Sequence, residues 1–92
     1  MPQYNVSIIS IKQDETFKYH NIIDVAMFNS NEHILTQVIE TEDKTIITAY
    51  NVDPEIDICL YENLIEVIQQ EFDNGNRKEF TDPDYKPFLV AI

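Results

Sequence analysis

Carboxylate side chains are the most numerous chemically active groups in this sequence. There are 17 Asp and Glu residues against 6 Lys and Arg, for a formal net charge of -11. Glu55, Glu62, Glu66 and Asp73 follow one another at intervals of seven, four and seven residues. At 3.6 residues per turn, these intervals place all four within about 20° of one line, about 27 Å long, along a helix. Such a stripe could bind a basic protein surface or a divalent cation, or it could be an ordinary solvated face.

Helix stability does not explain this predicted stripe. The like charges of Glu62 and Glu66, four residues apart, should destabilise the helix by a few tenths of a kcal/mol. The predicted helix contains no Lys or Arg to offset them, and Asp73 falls in the last turn, where the helix dipole favours a cation. We therefore predict that Glu62 and Glu66 are the centre of a partner-binding surface, which Glu55 and Asp73 extend.

Further carboxylates fall in two predicted loops, the hairpin loop and the loop that follows the helix. If these loops meet the helix at one edge, they enlarge the acidic surface. The predicted binding residues in them are Glu42, Asp43, Asp82 and Asp84. Glu40 is assigned to the same hairpin. Tyr85 is a candidate aromatic anchor rimmed by charge; alternatively, Tyr85 and Phe80 pack against the end of the helix.

Combinations of residues that would indicate an enzyme or a metal site are lacking. Cys59 could pair with His20 or His33 as nucleophile and base, but their spacing gives no support for it. The two histidines have no third ligand at a spacing that suits zinc. The single glycine excludes a Gly-rich phosphate loop. We therefore expect a protein that is not an enzyme and that has no cofactor and no metal site.

Alternating apolar residues predict an antiparallel meander before the helix. The predicted strands span residues 4–11, 17–28, 33–40, 45–52 and, in the apolar tail, 88–92. A change of phase in the first strand indicates a bulge at Ile8 and Ile9. In the second strand, Phe17 and Tyr19 are predicted to face the core. Residues 41–44 are the predicted hairpin loop.

One long amphipathic helix is predicted after the meander. Asp53 is the expected N-cap, Pro54 the first helical residue and Gly75 the C-terminal cap. A second interpretation makes residues 56–61 a fifth strand and begins the helix near Glu62. The predicted fold is a single α+β domain spanning 1–92, with an antiparallel meander sheet of four to five strands packed by one long amphipathic helix.

Composition limits the classes of partner. A protein that binds nucleic acid or an anionic membrane uses Lys and Arg side chains to replace the counterions of that partner. Because Lys and Arg are few in this chain, we expect no direct nucleic-acid binding and no membrane binding. The start of the chain has no basic segment followed by an apolar run, and a single cysteine rules out an intramolecular disulfide. We therefore expect a cytoplasmic protein.

The preferred functional hypothesis is a small acidic non-enzymatic binding protein whose partner is a basic protein. Its small size, low glycine content, acidity and meander with one helix resemble in character the phage-borne inhibitors of restriction and CRISPR nucleases, without a shared motif. That resemblance implies DNA mimicry, in which carboxylates occupy the basic groove of a nuclease or other nucleic-acid-binding protein. The alternative is an architectural or regulatory subunit that self-associates, for example as a homodimer, or binds a protein partner through an exposed strand edge, with acidity serving solubility.

Overall fold

The protein is built from one antiparallel sheet with one helix on a single face of it. The structure is a computed structural model that describes residues 2–92. In chain order the elements are β1 (Gln3–Gln13), β2 (Asn21–Phe28), β3 (His33–Glu40), β4 (Ile46–Thr48), α1 (Ile58–Asp73) and β5 (Phe88–Ala91). The strands lie in the order β4-β3-β2-β1-β5, with antiparallel neighbours throughout. The predicted α+β fold is confirmed, and the apolar tail forms the fifth strand beside β1.

Two local predictions about the meander are confirmed, and one strand is shorter than predicted. The register between β1 and β2 shifts between Ile8 and Ser10, which is the predicted bulge. Residues 41–44 form the loop between β3 and β4. β4 has only three residues, because the chain leaves the sheet at Ala49. The backbone N–H of Ala49 donates to the Tyr61 hydroxyl at 3.0 Å instead of to another strand.

β2 begins later than the sequence predicts, at Asn21. The Asp14 carboxylate accepts a hydrogen bond from the backbone N–H of Thr16 at 3.0 Å, and this local bond competes with strand pairing. The chain therefore turns where alternation alone predicts an extended strand. The prediction that Phe17 and Tyr19 face the core was wrong, since they are 53% and 73% exposed.

The start of α1 differs from both sequence interpretations. Helix α1 begins at Ile58, with Asp57 as N-cap, and the Asp57 carboxylate accepts a hydrogen bond from the backbone N–H three residues on. Asp53, the predicted N-cap, instead accepts from the backbone N–H of Glu55 at 2.9 Å in a separate turn. The predicted strand over 56–61 is also wrong, because its last four residues lie in the helix.

The C-terminal end of α1 confirms the predicted glycine cap. Gly75 has a φ of +93°, which L side chains rarely adopt. Its backbone N–H donates to the carbonyl of Phe72 at 3.1 Å, and that of Asn76 donates to the carbonyl of Glu71 at 2.8 Å. This pair of bonds is a Schellman motif, which satisfies carbonyls that the helix itself leaves unpaired.

Helix α1 covers one face of the sheet and also binds both of its edges. Its buried side chains are Leu60, Tyr61, Leu64, Ile68 and Phe72. At the β4 edge, Gln69 Oε1 accepts a hydrogen bond from the backbone N–H of Ile46 at 2.7 Å. At the β5 edge, Asn63 Nδ2 donates to the carbonyl of Ala91 at 2.8 Å. Side chains of the helix thus occupy backbone groups that an edge strand would otherwise offer to another chain.

Glu40 lies in the interior and not, as its position beside the hairpin suggested, on the acidic surface. Its side chain is 1% exposed and forms an ion pair with Arg77, while Asn21 Nδ2 donates to Oε1 at 3.0 Å. Burial alone would raise the pKa of Glu40, but the hydrogen bonds from Arg77 and Asn21 and the charge of Arg77 lower the pKa below its usual value. Glu40 therefore joins β2, β3 and the segment after α1.

Candidate functional site

The solvent side of α1 is acidic. We call Glu62, Glu66 and Asp73 the helix acidic face; all three are exposed. From Glu62 to Asp73 the face runs for about 17 Å at 1.5 Å per residue. The structure gives one ion pair among residues 2–92, between Glu40 and Arg77, so within that range no Lys or Arg is ion-paired with a carboxylate of the face.

Glu55 does not belong to the helix acidic face, and the predicted stripe of 27 Å is therefore too long. Because α1 begins at Ile58, Glu55 lies in the preceding turn and its direction is not set by the helical repeat. Glu55 is exposed and lines a cleft at the N-terminal end of α1. The carboxylates on this N-terminal cleft are those of Glu32, Asp53, Glu55 and Asp57.

The N-terminal cleft has a volume of about 390 Å³ and combines these acids with an apolar wall. Its apolar residues include Ile34, Ile56, Leu60 and Ile92. The buried Tyr4 hydroxyl donates to Glu32 Oε2 at 3.2 Å, and burial together with the nearby Glu32 raises the pKa of Tyr4. Asp57 is engaged by the helix N-terminus. The cleft suits the aliphatic stem and charged head of a Lys or Arg side chain.

The hairpin loop lies beside the C-terminal end of the helix acidic face. Gln69 Nε2 is 3.1 Å from both the carbonyl of Lys44 and Oδ1 of Asp73, so it joins the loop to the helix. Glu42 and Asp43 are exposed in this loop. Asp43 also has a structural role, because hydrogen bonds from Thr41 and Thr45 hold the loop and lower the pKa of Asp43.

The loop that carries Asp82 and Asp84 lies elsewhere and is not strongly acidic. Its preceding segment is fastened along β1, where Glu79 accepts a hydrogen bond from the backbone N–H of Ile11 at 3.0 Å and the N–H of Phe80 donates to the carbonyl of Ile8 at 2.7 Å. Two strands, β2 and β3, separate β1 from β4. Residues 77–86 hold three acids, Glu79, Asp82 and Asp84, and three bases, Arg77, Lys78 and Lys86. The structure therefore does not join Asp82 and Asp84 to the helix acidic face.

Tyr85 lies partly inside the fold. Its hydroxyl donates to the carbonyl of Val6 at 2.6 Å, and its ring lies 6.2 Å from that of Phe88. Burial raises the pKa of Tyr85. The contacts are with β1 and β5, and they leave the hydroxyl engaged within the chain and not presented to a partner.

Of the residues considered for catalysis, His20 is held in structural contacts. Tyr50 donates its hydroxyl proton to Asp14 Oδ2 at 3.1 Å, so His20 Nδ1, 2.9 Å from the same hydroxyl, is the donor of that bond. Phe17 stacks on His20 at 5.7 Å, and the group secures the β1–β2 loop. Cys59 is exposed on α1.

Within residues 2–92 there is no group of three His, Cys, Asp or Glu side chains that could hold a metal ion. No helix in that range is long and apolar enough to cross a membrane.

Sequence reasoning missed three of the carboxylates at the N-terminal cleft. Glu32 and Asp57 were not among the predicted binding residues, and Asp53 was explained by helix capping. One signal was present in the sequence: residues 53–73 contain seven acids and no Lys, Arg or His. Nothing in the sequence places Glu32 with them, because Glu32 lies in the turn between β2 and β3, far from residues 53–73 in the chain.

Comparison with known proteins provides no relative for this chain: no family model, curated protein or solved structure matches it.

Proposed function

We propose that this chain is a non-enzymatic acidic binding protein that engages a basic protein through the helix acidic face and its two neighbours, the hairpin loop and the N-terminal cleft. Glu62 and Glu66 are the central binding residues. Asp73 with Glu42 and Asp43 extends the surface at one end, and Glu55 extends it at the other. The partner is a nuclease or another nucleic-acid-binding protein, and binding competes with its nucleic acid.

One observation carries this proposal. The segment 53–73 has seven carboxylates and no basic residue, although basic residues are available elsewhere in the chain. An acidic protein shaped only for solubility would be expected to intersperse both signs of charge on an exposed helix, where pairs four residues apart stabilise it. The concentration of one sign of charge in this segment, three of whose carboxylates form the helix acidic face, supports electrostatic recognition of a cationic surface.

A nucleic-acid mimic must approach the charge density of a phosphate backbone. One strand of B-DNA carries a phosphate about every 3.4 Å along the axis, so about five phosphates span 17 Å. The helix acidic face supplies three carboxylates over that length. Competition with nucleic acid therefore requires the hairpin loop and the N-terminal cleft in addition to the helix, which is why the proposal includes them.

The alternative, association through a strand edge, has less support. The edge strands β4 and β5 have three and four residues. Gln69, Tyr61 and Asn63 of α1 bind backbone groups at or beside these edges. Short edges with occupied backbone groups are poor templates for strand addition.

A capture experiment tests the proposal. Immobilised wild-type protein and the Glu62→Lys, Glu66→Lys variant are exposed to a bacterial lysate at about 0.1 M salt, where long-range charge effects persist. The matched control is Glu15→Lys, Asp84→Lys, which changes the net charge by the same amount at two exposed positions away from α1. We expect wild type and control to recover a basic protein that added DNA or RNA displaces.

The helix variant should recover at least tenfold less of that protein while keeping the same melting temperature. Equal recovery by the helix variant, or loss of recovery in the control alone, would show that the helix acidic face is not the binding surface. Recovery that nucleic acid does not displace would contradict the competitive mode.

A further inference from the structure

The face of the sheet that α1 leaves uncovered carries an apolar patch. Directly opposite residues of antiparallel strands point to the same side. The row Val6–Met27 is buried beneath the helix, so the neighbouring rows, which contain Phe28 and Leu35, face away from it. The open-face patch consists of Ile9, Phe28, Leu35, Phe80 and Leu89, which are 40%, 38%, 70%, 46% and 52% exposed.

The open-face patch is continuous across four strands and is uncharged. Leu89 of β5 lies opposite Asn5 of β1, which lies opposite Phe28 of β2. Ile9 and Phe80 line one shallow pocket with Phe28. The residues that share these rows are Asn5, Ser7, Ala26 and His33. Two carboxylates lie at its rim. Glu32 accepts a hydrogen bond from Tyr4, which belongs to the covered face, and Asp24, in the next row of the open face, accepts hydrogen bonds from Ser10 and Gln37.

Charge indicates what occupies this patch. A basic partner gains most from the seven acids of residues 53–73 and nothing from a neutral apolar surface. A second copy of the chain presents an identical neutral apolar patch. The two patches match in chemistry, and a twofold axis can relate the two copies.

The acidity of α1 does not oppose this pairing. In two sheets packed face to face, the layers are about 10 Å apart, and each helix lies on the outer side of its sheet. The two helix acidic faces are then about 30 Å or more apart, well beyond the Debye length of about 8 Å at physiological salt. Repulsion between the acidic helices is therefore largely screened.

The available area is sufficient for a dimer that dissociates on dilution. The chain is a slab of 37 × 32 × 19 Å, and the open sheet face is one of its broad sides. Strands about 4.8 Å apart and about 3.4 Å per residue give five strands a face of roughly 24 × 27 Å. The edge strands are short, and one end of the face is already covered at Ile39, which is 1% exposed. Two such faces therefore bury about 1,000 Å² together, which is the lower limit for a specific interface.

We propose that the open-face patch joins two copies of this chain into a symmetric dimer, a four-layer sandwich with one helix on each outer side. The surface differs from the strand edge considered above, and the inference does not depend on the identity of a basic partner. In the dimer the two helix acidic faces point in opposite directions, so each copy can engage a separate partner.

Sedimentation velocity and light scattering from about 1 to 300 μM test this dimer. Wild type is expected to pass from a monomer of 10.8 kDa to twice that mass within this range. Leu35→Lys and Leu89→Lys each place a charge in the patch and should weaken the dimer at least tenfold. Ile58→Lys is the matched control, because Ile58 is 65% exposed on α1 and the substitution makes the same chemical change on the other side of the molecule.

The control and the Glu62→Lys, Glu66→Lys variant should both dimerise as wild type does, which separates this inference from the proposed function. Raising the salt to about 0.5 M should leave the dimer intact or strengthen it, since apolar contact is not screened. A wild type that stays monomeric to 300 μM, growth into oligomers larger than a dimer, or unchanged dimerisation of both patch variants with folding intact would overturn the inference.

Discussion

Replacing Arg77 by Met should destabilise the fold through the carboxylate of Glu40. The Glu40 side chain is 1% exposed, and the Arg77 side chain is 37% exposed. Removing one partner of a fully buried ion pair costs about 3–5 kcal/mol; because water screens the Arg77 side of this pair, we expect about 2 kcal/mol. Met retains an apolar stem against the Phe72 ring, over which the guanidinium lies at 5.9 Å.

The cost should depend on pH in a defined direction. The pKa of Glu40 lies below its ordinary value of 4.5. A carboxyl whose pKa is lowered by folding contributes stability above its unfolded pKa, and that stability is lost as the pH falls through the folded pKa. The difference between wild type and Arg77→Met should therefore be full at pH 7 and shrink below about pH 4.5.

Urea denaturation followed by circular dichroism at pH 7 and pH 3 measures both effects. Lys86→Met, which removes the same charge from an exposed position, should cost less than about 0.5 kcal/mol. The double variant Glu40→Gln, Arg77→Met should be more stable than Arg77→Met alone, because no buried charge is left unpaired. A cost for Arg77→Met below about 0.5 kcal/mol at pH 7, or an equal cost at both pH values, would refute the reasoning.

Four further substitutions test three local features by the same denaturation measurement. Asp57→Ala should cost about 1 kcal/mol as the loss of an N-cap, while Asp53→Ala should cost clearly less; the reverse order would place the helix start at Asp53. Gly75→Ala should cost about 1 kcal/mol because of its positive φ alone, since nothing lies within 4 Å of the added Cβ; a neutral effect would contradict the cap geometry. Tyr61→Phe should cost about 1–3 kcal/mol, because its buried hydroxyl accepts from Ala49 and donates to the carbonyl of Gln37, and a cost near zero would mean that these backbone groups have other partners.

Local patterns were sufficient for features whose cause is local. The bulge after Ile8 follows from a change of phase within one strand. The end of the helix follows from Gly75, because only glycine takes its backbone conformation without strain. The five strands and one helix were likewise predicted from alternation and helical spacing, since burial of one face imposes a period on each element.

The residues around the start of the helix were not sufficient to predict where it begins. Asp53 and Asp57 both have the sequence of an N-cap, and each does accept a backbone hydrogen bond. Asp53, followed by proline, caps a short turn, and the helix begins only at Ile58, where Leu60 and Tyr61 reach the core. Because the helix begins at Ile58, Glu55 lies outside the helix and therefore outside the predicted stripe.

The sequence by itself determined that the segment 53–73 is acidic, that Glu62, Glu66 and Asp73 share one side of a helix, and that this helix packs on a meander. Only the tertiary structure decided which other carboxylates lie near them. It buried Glu40 against Arg77, 37 residues away, joined the hairpin loop to Asp73 through Gln69, and held the loop of Asp82 along β1. Helical periodicity acts over a few residues, whereas the positions of loops depend on hydrogen bonds between strands and loops that are distant in the chain.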